Sequence, residues 1–278
     1  PPAAVHAASP ARTAAEPSAE ESCESRRTLA FASERAEARA RAVREATALN
    51  DRFAFREARE QLAPYVASRD ALVRVQLTIC CMHLSIEALK KRKEVRAAQE
   101  LAQEAVAHAE AAKAADSSSA QAFAWYGQAI QAKAEAVDGN IAQARMLATS
   151  VQNWEQAAAL DAADPLPPHL LGSFVFVTCS LPWVARNALR GLSPGLKKYS
   201  FDDALGYLLE SERLMPSPPR QYCVTNRSMI GRAYLQQGDK ARAREWLGRA
   251  LSDEVTLDAL DDTAKAAREE AQKAMRRL

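Results

Sequence analysis

The serine of Gly191-Leu192-Ser193-Pro194-Gly195 has the spacing of a nucleophile elbow, G-x-S-x-G, in which a sharp turn exposes a serine for attack on an ester. In that chemistry the residue after the serine lends its backbone N–H to the oxyanion hole, and here that residue is Pro194, which has none. No strand signal precedes it, so hydrolysis is not expected. Asn226-Arg227-Ser228 has the spacing of a glycosylation acceptor but falls inside a helical pattern and is read as chance. The five cysteines, Cys23, Cys80, Cys81, Cys179 and Cys223, are odd in number, form no C-x-x-C pair and have no histidine at zinc-ligand spacing. A reduced, cytosol-facing chain is the simplest reading, with Cys80 and Cys81 as small, partly buried apolar residues. No enzyme activity, metal or cofactor is expected.

What remains is binding chemistry. Lys+Arg 37 against Asp+Glu 35 leaves a formal net charge of +2, so no global field draws the chain to nucleic acid or to an anionic bilayer. A charged partner must meet a local patch. The sharpest is Lys90-Lys91-Arg92-Lys93 with Arg96, in a turn between two helical patterns. Such a run can hold the acidic tails of tubulin, an anionic lipid surface or an import receptor; equally, it is a solvated turn whose cations favour the C-terminal dipole of the helix before it. A second group, Arg186, Arg190, Lys197 and Lys198, falls in a long connection near 183–200, and long connections often carry function.

Composition says what kind of scaffold positions these residues. Only 9 glycines occur in 278 residues, all at or after Gly127, and Pro64 is the only proline between Pro17 and Pro165. Folds that spend glycine on phosphate loops and tight β-turns are disfavoured. Apolar residues recur at three- and four-residue spacing and predict helices near 28–49, 51–66, 69–89, 94–115, 118–137, 140–161, 166–187, 201–214, 222–237, 239–252 and 255–276. Asp51, Ser68, Ser119, Asp138, Asp202 and Asp239 sit near the expected helix starts as capping residues. Residues 1–27 mix Pro, Ala, Ser and Glu without apolar periodicity and read as a disordered N-terminal tail. The charge-free stretch from Pro165 to Ala185 approaches bilayer length, but Pro167, Pro168 and Pro182 interrupt it; it is read as a buried core helix, and no transmembrane span is expected.

Ile230-Gly231-Arg232-Ala233-Tyr234, Gly238-Asp239, Ala243, Leu247 and Ala250 fit the packing signature of a tetratricopeptide repeat with Gly231 at its eighth position. Gly127 and Gly172 take the same position in two earlier units. The glycines are 45 and 59 residues apart, against about 34 for the standard repeat, so the hairpins are lengthened and an insertion lies near 183–200. The expected fold is all-α: an α-solenoid of antiparallel helix hairpins, a tetratricopeptide-like superhelix over 28–278, closed by a capping helix after Asp253. The four tryptophans are read as core. Positions two, five, nine and twelve of each first helix line the concave groove, which gives Gln121, Ala124, Gln128 and Gln131, then Leu166, His169, Ser173 and Phe176, then Thr225, Ser228, Arg232 and Leu235. One formal charge in that set is too few for a carboxylate clamp. With Phe176 and Leu235 the groove can accept an apolar peptide, a helix or an acyl chain; the alternative is that the array closes and makes them core, with His169 a packed histidine.

Trp125-Tyr126-Gly127, Trp154-x-x-Ala157 to Asp164-Pro165, His169-x-Leu171-Gly172, Leu181-Pro182-Trp183-x-x-Arg186, Gly231-x-x-Tyr234 and Ala243-x-x-Trp246-x-x-x-Ala250 together resemble the regulator of microtubule dynamics family, over about residues 48–272. The resemblance implies a non-enzymatic α-solenoid that associates with microtubules and spindle poles. One vertebrate member is anchored in the mitochondrial outer membrane, tethers it to the endoplasmic reticulum and binds phospholipid. The expected function is therefore a cytoplasmic scaffold or adaptor at the cytoskeleton or spindle, with microtubules, tubulin or another protein as partner. The alternative is a phospholipid-binding, lipid-transfer or organelle-tethering module using the groove, with mitochondrial outer membrane contact if an anchor precedes Pro1. The resemblance brings no catalytic residues.

Overall fold

The computed structural model describes residues 19–217, 219–220, 222–252 and 262–278, with the backbone alone at 19–27, 29, 138 and 140. Residues 1–18 of the expected tail, and the stretch 253–261 before the capping helix, lie outside the described residues. The described residues are mostly helical, and none of them is in a strand. In chain order the helices are α1 (Ala19–Asn50), α2 (Phe55–Leu62), α3 (Ala71–Glu87), α4 (Val95–Ala115), α5 (Ala120–Lys133), α6 (Gly139–Leu160), α7 (Leu166–Ser180), α8 (Trp183–Leu192), α9 (Phe201–Leu214), α10 (Cys223–Gln236), α11 (Lys240–Leu251) and α12 (Asp262–Met275). Contacts divide the chain into two units, Pro1–Ala42 and Val43–Leu278. In the first, helix begins at Ala19, ahead of the start expected at Thr28; from Pro17 to Pro64 the sequence holds no residue that breaks a helix. The packing described below lies within Val43–Leu278.

Local chemistry explains the ends. Asp70 caps α3 by accepting from the N–H groups of Leu72 and Val73, and Ser119 caps α5 by accepting from Ala122. Ser200 and Asp203 form a reciprocal capping box on α9, and Asp239 caps α11. Ser119 and Asp239 are the expected caps, whereas Ser68 and Asp202 each yield to a residue two positions away. The helix expected over 166–187 is two helices. Leu181 is extended (ψ 149°) before Pro182, as a residue preceding proline prefers, and α8 restarts at Trp183. The connection near 183–200 is therefore half helix. Both α3 and α5 end in a π-helical turn, Ala88–Arg92 and Ala134–Asp138.

Helices pair in sequence: α3 on α4, α5 on α6, α7 on α9 and α10 on α11. Glycine sets how closely three of these pairs approach. A β-carbon on Gly172 would lie 2.6 Å from Leu208 Cγ and 3.0 Å from its backbone N. On Gly231 it would lie 2.7 Å from Leu247 Cγ and 2.9 Å from its backbone N, and on Gly127 it would strike the Trp154 indole. Leu208 and Leu247 are fully buried and Trp154 nearly so, so each glycine exchanges a side chain for burial of a large one on the second helix. Ala71–Arg92 has the length and hydropathy to cross a bilayer, but 61% of that window is buried against neighbouring helices. The apolar α7, at 15 residues, is shorter than the roughly 20 a span needs.

Candidate functional site

A groove of about 460 Å³ runs over α3, α5 and α7 and ends at α10 and α12. Gln121, Gln128 and Gln131 of α5, Leu166 and His169 of α7, and Thr225 of α10 all line it, so the structure brings together six of the twelve candidate groove residues. Its apolar floor is Ile79, Met82 and Ile86 of α3 with Trp125 and Leu170. The α3 wall escapes the sequence reading because that hairpin carries no glycine from which to count repeat positions. Gln131 donates to Ser150 Oγ at 2.8 Å, and Asn50 Nδ2 donates to Gln76 Oε1 at 2.8 Å, so part of the carboxamide lining is held by the protein itself.

His169 sits at the far end of the groove as a packed, neutral ring. Asn226 Nδ2 donates to Leu208 O at 2.9 Å, which leaves Asn226 Oδ1 to accept from His169 Nδ1 at 3.1 Å. Ser173 Oγ is 3.5 Å from His169 Nε2, and Tyr222 stacks on the ring at 4.5 Å. Ser173 thus serves His169 rather than the groove. Burial pushes the His169 pKa down to about 4, outweighing the opposing hydrogen bond to Asn226. His83, stacked on Phe55 at 4.2 Å, is likewise pushed down to about 4 by burial.

The remaining groove expectations need correction. Ser228 is buried and donates to Ala267 O of α12 at 2.9 Å. Arg232 lies 3.8 Å from Glu270 of α12, and Leu235 packs against the cluster that Ala271 and Ala274 of α12 form with Leu247 and Ala250. Phe176 is only 3% exposed, edge-on to Phe201 and under the Arg232 guanidinium at 5.0 Å. Helix α12 covers the α10 face on which these positions project, so the groove stops at Thr225 and an acyl chain cannot use Phe176.

The cationic turn is largely answered by the chain's own carboxylates. Lys91 pairs with Asp262 at 2.8 Å, Lys90 with Glu135 at 3.8 Å, Arg92 with Glu87 at 2.9 Å and Arg96 with Glu100 at 3.0 Å. Lys93 has no ion pair among the described residues and takes the left-handed conformation (φ +57°) that ends the turn. In the second group Lys197 pairs with Glu155 at 3.1 Å and Arg190 donates to Asn187 Oδ1. Arg186 and Lys198 have no ion pair among the described residues. Trp183, expected in the core, is 69% exposed, because α8 restarts after Pro182 and does not continue the buried stripe of α7. Ser193 is 1% exposed and its Oγ accepts from the Ala148 N–H at 3.0 Å, so it fastens the end of α8 to α6.

One cluster has the composition of a metal site. Ligand atoms of Cys81, Glu104 and His108 lie within 4.8 Å of one another. Its protons are wrong for a cation. Arg59 grips both Glu104 oxygens at 2.7 and 2.9 Å, and Arg74 donates to His108 Nδ1 at 2.9 Å, which puts the imidazole proton on Nε2, the atom facing the cluster. Burial pushes the Cys81 thiol far up, so it stays protonated. Two guanidiniums already neutralise the site, and it is a buried polar network.

Comparison with known proteins adds identity to this geometry. A family model described as Regulator of microtubule dynamics protein 1-3 matches residues 39–278. Regulator of microtubule dynamics protein 1 of Bos taurus is 27% identical over 152 residues, which is 54% of this chain and 46% of the bovine protein. The Homo sapiens counterpart is 26% identical over 152 residues, again 54% of this chain and 46% of that protein. Regulator of microtubule dynamics protein 3 of Bos taurus is 27% identical over 100 residues, 36% of this chain and 20% of that protein. The chain spans less than half the length of these relatives. With the family match running through the whole of Val43–Leu278, the chain belongs to the regulator of microtubule dynamics family.

Proposed function

We propose that this protein is a non-enzymatic scaffold of the cytoplasm and cytoskeleton that binds microtubules, or a protein on them, and changes their growth. The observation that carries the reading is the family match over residues 39–278, whose relatives are named for regulating microtubule dynamics. Within Val43–Leu278 the packing supports an array of tetratricopeptide-like hairpins: the same glycine-to-bulky-residue crossing recurs at Gly127 and Trp154, Gly172 and Leu208, and Gly231 and Leu247. Helix α12 acts as the cap, since it buries Ala264, Ala271 and Ala274 against the last hairpin. The groups whose chemistry resembles that of catalytic residues are each engaged within the chain: Ser193 holds α6, His169 holds Asn226, and Glu104 holds Arg59.

The test is a growth assay on single dynamic microtubules seeded on a surface. Added protein is expected to change growth rate or the frequency of switching to shrinkage in a dose-dependent way. Unchanged dynamics, together with no protein on the filaments, would overturn the reading.

A further inference from the structure

The two most exposed large apolar side chains among the described residues are neighbours, Trp183 at 69% and Val184 at 71%, at the start of α8. An adjacent exposed pair of this kind marks an interaction site more often than a scattered single residue does. Trp183, Arg186 and Arg190 recur at i, i+3 and i+7, so they share one stripe of α8. Ala185, Leu189 and Leu192 form the opposite stripe and are half-buried. Contact with α6 and the Ser193 hydrogen bond to Ala148 fix α8 in this orientation.

The local sequence carries charge of one sign. From residue 165 to residue 201 the sequence contains no aspartate or glutamate and contains Arg186, Arg190, Lys197 and Lys198. Lys197 is engaged by Glu155; of the others Arg190 and Lys198 are exposed and Arg186 is half-buried, and none has an ion pair among the described residues. The Lys90–Arg96 turn differs, since four of its five cations are paired within the chain.

We propose that the Trp183–Arg186–Arg190 stripe of α8 is a docking surface for a carboxylate-rich protein partner, with Trp183 as its anchor. Tryptophan and arginine are the side chains that most often dominate such interfaces, tryptophan through desolvated area and arginine through forked bonds to carboxylates. A bilayer fits less well. A helix lying in the interface needs a broad apolar face toward the lipid, whereas beyond Trp183 and Val184 the large apolar residues of α8, Leu189 and Leu192, are half-buried. The partner's identity rests on the microtubule reading above, under which it is the acidic outer surface of the filament.

The experiment is equilibrium pelleting with stabilised microtubules, using the full chain and three variants: W183A/V184S, R186E/R190E, and K90Q/K91Q/R92Q as the comparison. Helical circular dichroism checks that each is folded. The α8 variants are expected to bind about tenfold more weakly or worse, and the turn variant within about twofold of the parent. If the parent pellets and the α8 variants pellet equally well, the docking surface is wrong while the microtubule reading stands. If the parent does not pellet at all, both fall. A parallel arm uses vesicles of phosphatidylcholine with phosphatidylserine; α8 variants that lose vesicle binding while keeping microtubule binding would also overturn the proposal.

Discussion

The Lys91 ammonium lies 2.8 Å from the Asp262 carboxylate and so joins the turn after α3 to the first residue of α12, a helix that begins far along the chain. Both side chains are more than half exposed, at 61% and 68%. The contact therefore organises charge more than it holds the fold, because an exposed pair contributes at most about 1 kcal/mol. Its consequence is for binding: the most basic run in the sequence presents little unanswered positive charge.

A double-mutant cycle on this pair checks that statement. Lys91→Glu and Asp262→Lys are each expected to change stability by less than about 1 kcal/mol, with the swapped double variant recovering part of the loss. Urea unfolding midpoints read the effect. A coupling of several kcal/mol would mean that the turn and α12 are locked together.

The glycines are expected to divide by sign. Gly231→Ala places a methyl 2.9 Å from the Leu247 backbone N, which cannot move without shifting α11, so a loss of roughly 1–3 kcal/mol is expected. Gly206→Ala in α9 meets nothing within 4 Å and is expected to stabilise by about 0.5–1 kcal/mol, because alanine gives up less backbone entropy in a helix. Thermal unfolding of the two variants compares them directly, and equal midpoints would contradict the account of hairpin packing.

Stability should fall with acid in a window set by histidine. The His169 pKa is about 4 in the folded protein against about 6.5 for a free ring, so between those values the unfolded chain binds a proton that the folded one refuses. Stability is thus full above about pH 6.5 and declines as pH drops toward 4, by about 3 kcal/mol for this site as an upper order of magnitude. His169→Asn is expected to show a shallower decline over the same window. Parallel curves for parent and variant would show that His169 is not the group responsible.

The Cys81 cluster is expected to ignore metal and alkylating agents. Burial pushes Cys80 up to about 11 and Cys81 further, so neither offers a thiolate at neutral pH. A short iodoacetamide pulse on native protein, followed by peptide mapping, should leave both unlabelled. Millimolar zinc should not raise the unfolding temperature, and a clear rise would restore the metal reading.

The parts legible in the sequence were those that a local rule encodes. Gly127, Gly172 and Gly231 index helix crossings, so counting from the first two found Gln121, Gln128, Gln131 and His169 on the groove wall. Counting from Gly231 places Thr225 on the groove and identifies the α10 face of Ser228, Arg232 and Leu235, but not that face's occupant. An amphipathic pattern shows that α12 has a face to bury, and says nothing of which helix receives it; Ser228, Arg232 and Leu235 are spent on that contact. Tryptophan at helical spacing is usually core, but Pro182 resets the register, so Trp183 on α8 owes nothing to the stripe of α7 and stands exposed. The ion pairs of Lys90 and Lys91 bridge residues distant in sequence, and charge runs carry no record of such partners.

The central claim, that this chain binds microtubules through charge complementarity on a folded helical array, is tested most directly by its microtubule binding isotherm at two ionic strengths. The account predicts saturable binding that weakens by several-fold as salt rises from low to physiological levels, while helical content stays constant. Absence of binding at low salt would contradict it.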